Sequence, residues 1–132
     1  METTGKKALI VDDDKDFTSG MGILLKNAGF EVRVAENGLR ALEEIDIFQP
    51  DVVILDIYMP VMDGVKVCKF IRVEKGNHSM PIVAITAYDD EGTKGEILEA
   101  GADIYLTKPI DGAELLSQVQ GVLGRASAGG QY

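Results

Sequence analysis

Five polar side chains of types that could carry chemistry stand at or just after the ends of short apolar runs. Asp12 and Asp13 follow KALIV, Asp56 closes DVVILD, Thr86 lies near the end of PIVAITA, and Lys108 follows DIYLT. Neighbouring aspartates repel one another, and burying one without a partner is costly or forces it to take up a proton. We therefore expect a positive partner beside them.

Carboxylate oxygens with no histidine or cysteine nearby favour a hard cation, and Mg2+ prefers one or two carboxylates with water and phosphate oxygens. Asp12, Asp13 and Asp56 are the candidate ligands. A carboxylate beside Mg2+, facing the hydroxyl of Thr86 and the ammonium of Lys108, suits phosphoryl transfer, with Asp56 as nucleophile forming an aspartyl phosphate. The alternative is that these residues only mark where strands meet solvent, since such residue types are common there.

The elements that would position these side chains are five strands alternating with helices. Strands are predicted at 7–11, 31–35, 51–56, 81–87 and 103–107, with apolar residues at helical spacing between them. This order implies a parallel sheet covered on both faces, in which ligands bind at the carboxyl ends of the strands. The predicted fold is a doubly wound α/β sandwich of (βα)5 type, with the candidate residues along one edge.

Length and charge limit the classes of function. We expect a single domain over residues 1–124 and, from the non-periodic RASAGGQY, a disordered tail over 125–132. With 13 basic and 22 acidic residues, the net charge of −9 opposes contact with nucleic acid or anionic lipid. The lack of an apolar stretch of ~20 residues or of a secretory signal predicts a cytoplasmic protein without a membrane span.

Four motifs in order resemble a known family. They are VDDD after the first strand, LDIYMPVMDG at 55–64, AITA at 84–87 and YLTKPI at 105–110. At these spacings they are similar to the receiver domains of two-component response regulators, over nearly the whole chain. The resemblance implies a flavodoxin-like fold with a five-stranded parallel sheet in the order 2-1-3-4-5.

The resemblance also implies roles for individual residues. Asp12 and Asp13 correspond to the acidic pair that binds Mg2+, and Asp56 corresponds to the phosphoacceptor. Tyr58 would add a metal ligand through its main-chain carbonyl. The Asp-Gly pair at 63–64 corresponds to the turn after the phosphorylation loop, which we interpret as structural.

Later motifs supply the remaining positions of the resemblance. Thr86 and Lys108 correspond to the hydroxyl and the lysine that contact the phosphoryl oxygens. Tyr105 corresponds to the aromatic switch residue, and Thr86 shares in the switch. A cis peptide bond is implied before Pro109, where it costs little.

The function implied is that of a Mg2+-dependent phosphoacceptor switch in a phosphorelay, not of an enzyme that releases a product. A sensor histidine kinase or a histidine phosphotransfer protein would donate the phosphoryl group. An unknown downstream protein would read an altered surface made by the fourth helix, the fifth strand and the fifth helix. Because no output domain is visible after residue 124, we expect signalling by protein contact, without nucleic acid or membrane binding by this chain alone.

Three alternatives remain open from sequence. Asp12-x-Asp14 after an apolar strand also resembles the first motif of haloacid-dehalogenase-type phosphatases, which need a further acidic pair where this chain has only Asp111 and Glu114. A flavodoxin would have to cradle a phosphate in a loop that here carries three negative charges. The third alternative is a receiver-like interaction module that is never phosphorylated.

Overall fold

The computed structural model describes residues 4–88 and 90–129, with side chains described up to residue 125. Its strands are β1 (Lys7–Val11), β2 (Glu31–Ala35), β3 (Val52–Asp56), β4 (Ile82–Thr86) and β5 (Ile104–Thr107). The helices between and after them are α1 (Lys15–Asn27), α2 (Gly38–Phe48), α3 (Gly64–Lys69), α4 (Glu91–Glu99) and α5 (Gly112–Gly129). A π-helical turn, Phe70–Glu74, continues α3.

The strands form one parallel sheet in the order β2-β1-β3-β4-β5. At its carboxyl edge Val11 pairs with Ala35 and Leu55, and Thr86 pairs with Thr107. The predicted fold class and strand order are confirmed, and each predicted strand lies within one residue of the observed bounds. The carboxyl ends of β1, β3, β4 and β5 therefore meet along a single edge.

Alternating side chains of the strands fill two apolar layers, one on each face of the sheet. Helices α2, α3 and α4 cover one face, and α1 and α5 cover the other. Every residue of β3 and β4 is buried, which explains why these two segments read as unbroken apolar runs.

Four of the helices begin with a side chain that accepts hydrogen bonds from the free N–H groups of the first turn. These N-cap residues are Asp14, Asn37, Asp63 and Asp90. Each follows a strand at the carboxyl edge of the sheet. The caps thus fix the strand-to-helix loops that surround the candidate residues.

The end of α5 differs from the sequence expectation. The helix continues to Gly129, so residues 125–129, predicted as the start of a disordered tail, are helical. Alanine and arginine are strong helix formers, and they prolong a helix without any apolar periodicity. Residues 130–132 lie outside the described residues, and the domain boundary at 124 stays a prediction. Neither α5 nor any other helix in the described ranges is long and apolar enough to cross a bilayer.

Candidate functional site

Three carboxyl groups meet at the ends of the neighbouring strands β1 and β3. Asp12 and Asp13 directly follow β1, and Asp56 is the last residue of β3. One carboxylate oxygen of each lies within 4.8 Å of the others. Asp12 and Asp56 are buried and Asp13 is exposed. The structure thus brings together the three acids that the sequence proposes as metal ligands.

The positive partner of this cluster is Lys108, just after β5. Its Nζ donates to Oδ2 of Asp12 at 2.7 Å and lies 4.5 Å from the ring centroid of Phe17 in α1. The Lys108–Pro109 peptide bond is cis, as the resemblance implies. Phe17 belongs to the apolar residues at helical spacing after the first strand, and that spacing does not predict its contact with the lysine.

The three consecutive aspartates have two different roles: Asp14 caps a helix, whereas Asp12 and Asp13 face the crevice. Oδ1 of Asp12 accepts from the backbone N–H of Asp14 at 2.9 Å, which fixes the orientation of the Asp12 carboxylate. Asp14 turns away and caps α1, accepting from the N–H groups of Asp16 at 3.0 Å and Phe17 at 3.2 Å. Asp12 and Asp13 are therefore left to face the crevice.

Burial and crowding of charge raise the pKa of the Asp56 carboxyl to about 7. Removal from water is the largest cause and the nearby charge of Asp12 the next, with Asp13 adding a smaller contribution. The ammonium of Lys108 and the backbone N–H of Tyr58 act in the opposite direction but do not cancel the rise. A cation bound among these acids would relieve their repulsion.

The donor set of this site suits a hard divalent cation. The side-chain atoms that it offers are carboxylate oxygens from Asp12, Asp13 and Asp56, without histidine or cysteine, and such atoms favour Mg2+ over softer metals. Asp111 and Glu114, the only acids that a phosphatase of the haloacid-dehalogenase type could use after the lysine, do not belong to this cluster. The residues present therefore fit Mg2+ and lack the second acidic pair of such a phosphatase.

The loop between β3 and α3 packs closely against its surroundings. A Cβ on Gly64 would lie 2.5 Å from the carbonyl oxygen of Asp56, and one on Gly38 would lie 2.6 Å from that of Met62. At Val61 the backbone has φ of 73°, and the N–H of Met62 donates to the carbonyl of Pro60 at 2.9 Å. This is a three-residue γ-turn of the strained, left-handed kind.

Thr86 ends β4 with its side chain fully buried. Its Oγ1 accepts from the backbone N–H of Tyr88 at 3.1 Å. Tyr105, half-buried on β5, packs against the core, and its hydroxyl donates to the carbonyl of Tyr88 at 2.8 Å. The predicted switch residues Thr86 and Tyr105 are thus linked through one intervening residue.

Tyr58 makes two contacts across the mouth of the site. Its ring lies edge-on to that of Tyr88, with centroids 4.8 Å apart at 72°. Its hydroxyl lies 2.7 Å from Oγ1 of Thr93 in the first turn of α4. Sequence reasoning missed Thr93; the spacing of Asp90 and Thr93 signals a helix cap but not a partner on another loop.

Comparisons with known proteins place these observations in context. Residues 8–120 match the family described as "Response regulator receiver domain". The chain is 37% identical over 121 residues to the "Alkaline phosphatase synthesis transcriptional regulatory protein PhoP" of Bacillus subtilis (strain 168), covering 92% of this chain and 50% of that protein. It is 40% identical over 117 residues to the "Sensory transduction protein RegX3" of Mycobacterium tuberculosis (strain ATCC 25618 / H37Rv), covering 89% and 50%.

Among solved structures, the chain resembles a "response regulator receiver domain protein (CheY-like)" from Methanospirillum hungatei JF-1. The TM-score is 0.89 and the identity 27%, with 95% of this chain and 98% of that chain covered. The chain spans about half the length of the curated relatives it matches.

Proposed function

Because this chain belongs to the family of response regulator receiver domains, we propose that it is a phosphoacceptor switch in which Asp56 receives the phosphoryl group. Receiver domains act as signalling switches of two-component systems. One observation carries the proposal: the Asp56 carboxylate lies within 4.8 Å of those of Asp12 and Asp13, across from a lysine that reaches Asp12. Such a site neutralises charge around an acceptor oxygen.

The transfer would proceed by attack of an Asp56 carboxylate oxygen on the phosphorus of a phosphohistidine. The P–O bond forms as the P–N bond breaks, and the electron pair of the P–N bond returns to the imidazole. The imidazole leaves as a neutral group when its other nitrogen carries a proton. The ammonium of Lys108, now paired with Asp12, would turn to the phosphoryl oxygens. The hydroxyl of Thr86, which accepts from the N–H of Tyr88 in this structure, would turn and donate to the same oxygens.

Asp12, Asp13, Asp56 and the main-chain carbonyl of Tyr58 would hold Mg2+. When bound, the ion supplies positive charge that offsets the carboxylates and the incoming phosphoryl oxygens. The crowding of charge that raises the pKa of Asp56 supports this assignment. The burial of Asp12 and Asp56 keeps their carboxylates in place for such a role.

The partners follow from the same proposal. A sensor histidine kinase or a histidine phosphotransfer protein would supply the phosphoryl group. The output would pass through the surface of α4, β5 and α5 to a downstream protein.

The decisive experiment is incubation of the chain with acetyl phosphate and Mg2+, followed by intact mass measurement. Attack by Asp56 breaks the P–O bond of the reagent and releases acetate, so we expect a single phosphoryl adduct that is labile at alkaline pH. The adduct should be absent with EDTA and in Asp56→Asn. Asp16→Asn, a change at an exposed aspartate in the first turn of α1, is the matched control and should leave labelling intact.

Other outcomes would select among the alternatives. Absence of any adduct in the unmutated chain would favour the unphosphorylated interaction module. A stable adduct that persists in Asp56→Asn would move the nucleophile elsewhere. Continuous hydrolysis of a phosphate ester, lost in Asp12→Asn, would favour the phosphatase.

A further inference from the structure

Helix α4 has a weak apolar attachment to the rest of the domain. Of its nine residues only Ile97 is buried, and Leu98 is 37% exposed. A cavity lined in part by Tyr58, Asp63, Thr93 and Glu96 adjoins its first turn. Polar contacts therefore determine how firmly each end of the helix is held.

The carboxyl end of α4 is fixed by groups from α3 and the π-helical turn. The thiol of Cys68 donates to the carbonyl of Ala100 at 3.3 Å. The guanidinium of Arg72, itself buried, donates to the carbonyl of Gly101 from Nε at 3.0 Å and from a terminal nitrogen at 2.9 Å. Two of these three hydrogen bonds come from a charged donor, so this end is the stationary one.

The amino end of α4 is held by a short chain of hydroxyl groups. Oγ1 of Thr93 lies 2.9 Å from Oδ2 of Asp90, whose ionised carboxylate can only accept, so the hydroxyl proton of Thr93 points to Asp90. The hydroxyl of Tyr58, 2.7 Å from the same Oγ1, is therefore the donor to Thr93. The direction of each hydrogen bond follows from the one fixed acceptor.

Tyr58 is also attached to the reactive centre. Its backbone N–H interacts with the Asp56 carboxylate, and its ring contacts Tyr88, whose own N–H donates to Thr86. Converting the carboxylate into an acyl phosphate changes the group that faces the Tyr58 N–H. Turning the Thr86 hydroxyl toward the new oxygens removes the acceptor of the Tyr88 N–H. Both changes act on the segment that carries the Tyr58 hydroxyl.

We propose that the Tyr58–Thr93 hydrogen bond is a latch that positions the first turn of α4 in the unphosphorylated protein and opens when Asp56 is phosphorylated. This inference rests on the proposed function and deepens it. The latch couples Asp56 to α4 through the loop after β3, without the side chain of Tyr105. Tyr58 acts here as a positioning residue through its phenol, in addition to any role of its main chain.

The test is the affinity of the full chain for beryllofluoride with Mg2+ in two variants that each remove one hydroxyl. Tyr58→Phe keeps the ring and backbone, and Thr93→Val keeps the shape and the N–H bond to Asp90. Because the latch stabilises only the unliganded state, each variant should bind beryllofluoride about 2- to 10-fold more tightly. The double variant should gain no more than Thr93→Val alone, because that change already removes the bond to Tyr58 together with the hydroxyl bond to Asp90.

Amide exchange of the first turn of α4 gives a second readout. Without ligand it should be faster in both variants. With beryllofluoride it should equal that of the unmutated chain in Tyr58→Phe, in which the bond between Thr93 and Asp90 is intact. Thr93→Ser retains a hydroxyl and should restore the original affinity. Ser79→Ala removes an exposed hydroxyl just before β4, at the opposite edge of the sheet from the site, and it should leave the affinity unchanged.

Equal affinities in the unmutated chain and both variants would overturn the latch, as would additive gains in the double variant or weaker binding. Exchange in β1 and β3 checks that each variant retains its fold. If the unmutated chain fails to bind beryllofluoride, the proposed function fails and the latch fails with it. If it binds and only the variants show no effect, the latch alone is wrong.

Discussion

Among single residues, Asp56 is held in a state that opposes folding in the absence of a cation. Burial and the charges of Asp12 and Asp13 raise its pKa from the ordinary value of 3.8 to about 7, against the opposing effects of Lys108 and the Tyr58 N–H. The folded protein therefore binds more protons than the unfolded chain between about pH 4 and pH 7. Its stability falls as the pH rises through that window, because the unfolded chain can ionise Asp56 without penalty.

Replacing this charge should stabilise the metal-free protein. Asp56→Asn should raise the free energy of unfolding at pH 8 by about 1–2 kcal/mol, because solvent screens part of the repulsion that the charged side chain experiences. The gain should be smaller at pH 5, where part of the folded-state penalty is absent. Urea unfolding in EDTA at the two pH values measures it, and added Mg2+ should diminish the gain at pH 8. A gain that is equal at both pH values would contradict the electrostatic origin.

Val61 is a second residue whose local conformation has a cost. Its φ of 73° is unfavourable for a β-branched side chain, and at 73% exposure the side chain gains little from packing. Asparagine tolerates this region, so Val61→Asn should raise the free energy of unfolding by about 0.5–1 kcal/mol. Val73, 72% exposed within the π-helical turn, is the matched control. An equal gain in Val73→Asn would show that polarity, not backbone strain, is responsible.

Among the elements, α4 is the helix whose own sequence supports it least. Gly92 and Gly95 each cost up to about 1 kcal/mol relative to alanine, and a Cβ on Gly95 would meet nothing within 4 Å, so no close contact requires glycine there. Together with its single buried side chain, this makes α4 the segment that a change at Asp56 can move with least resistance.

Amide exchange should locate that response. On adding beryllofluoride and Mg2+, the largest change is expected over residues 90–107, and the smallest in the fully buried strand β3. Asp56→Asn, treated in the same way, should show no change. An unaltered pattern over 90–107, with binding established by titration, would remove α4 and β5 as the output surface.

The elements show what the sequence can and cannot predict. β1 and β2 were predicted to the residue because polar residues follow them directly. β3 and β4 were predicted to within one residue because both of their faces are buried. The start of α4 could not be predicted from apolar periodicity, because the N-cap residue Asp90 determines where the helix begins. The π-helical turn was missed because Arg72, which bonds the carbonyls of Gly101, Asn77 and Met80, acts through distant backbone that residue spacing does not report.

The same limit applies to the site. The convergence of Asp12, Asp13 and Asp56 could be predicted because the strand order that the resemblance implies places β1 beside β3. A lysine facing these acids was expected. Its choice of Asp12 as partner, and the pairing of Tyr58 with Thr93, could not be predicted, because each depends on the path of a loop. Residues at strand ends are thus placed by topology, while residues beyond them are placed by turns and caps.

At the scale of the whole molecule, the layout separates the site from most of the surface. The candidate acids lie at the carboxyl edge of the sheet, and β5 is an edge strand that pairs with β4. The strand that carries Asp56, β3, is the central one, two strands from either edge of the sheet. The net charge of −9 makes any approaching anionic phosphodonor depend on local positive charge, which Lys108 supplies at the crevice.

Cys68 is the only cysteine of the chain, fully buried, and burial raises the pKa of its thiol to about 11. A thiol-reactive dye is attacked by the thiolate, so at neutral pH this side chain is protected both because it is buried and because it keeps its proton. A cysteine introduced at an exposed position such as Lys94→Cys in α4 would then take up a fluorophore alone. The protein is by its own packing ready for site-specific fluorescent labelling, without first removing its natural cysteine.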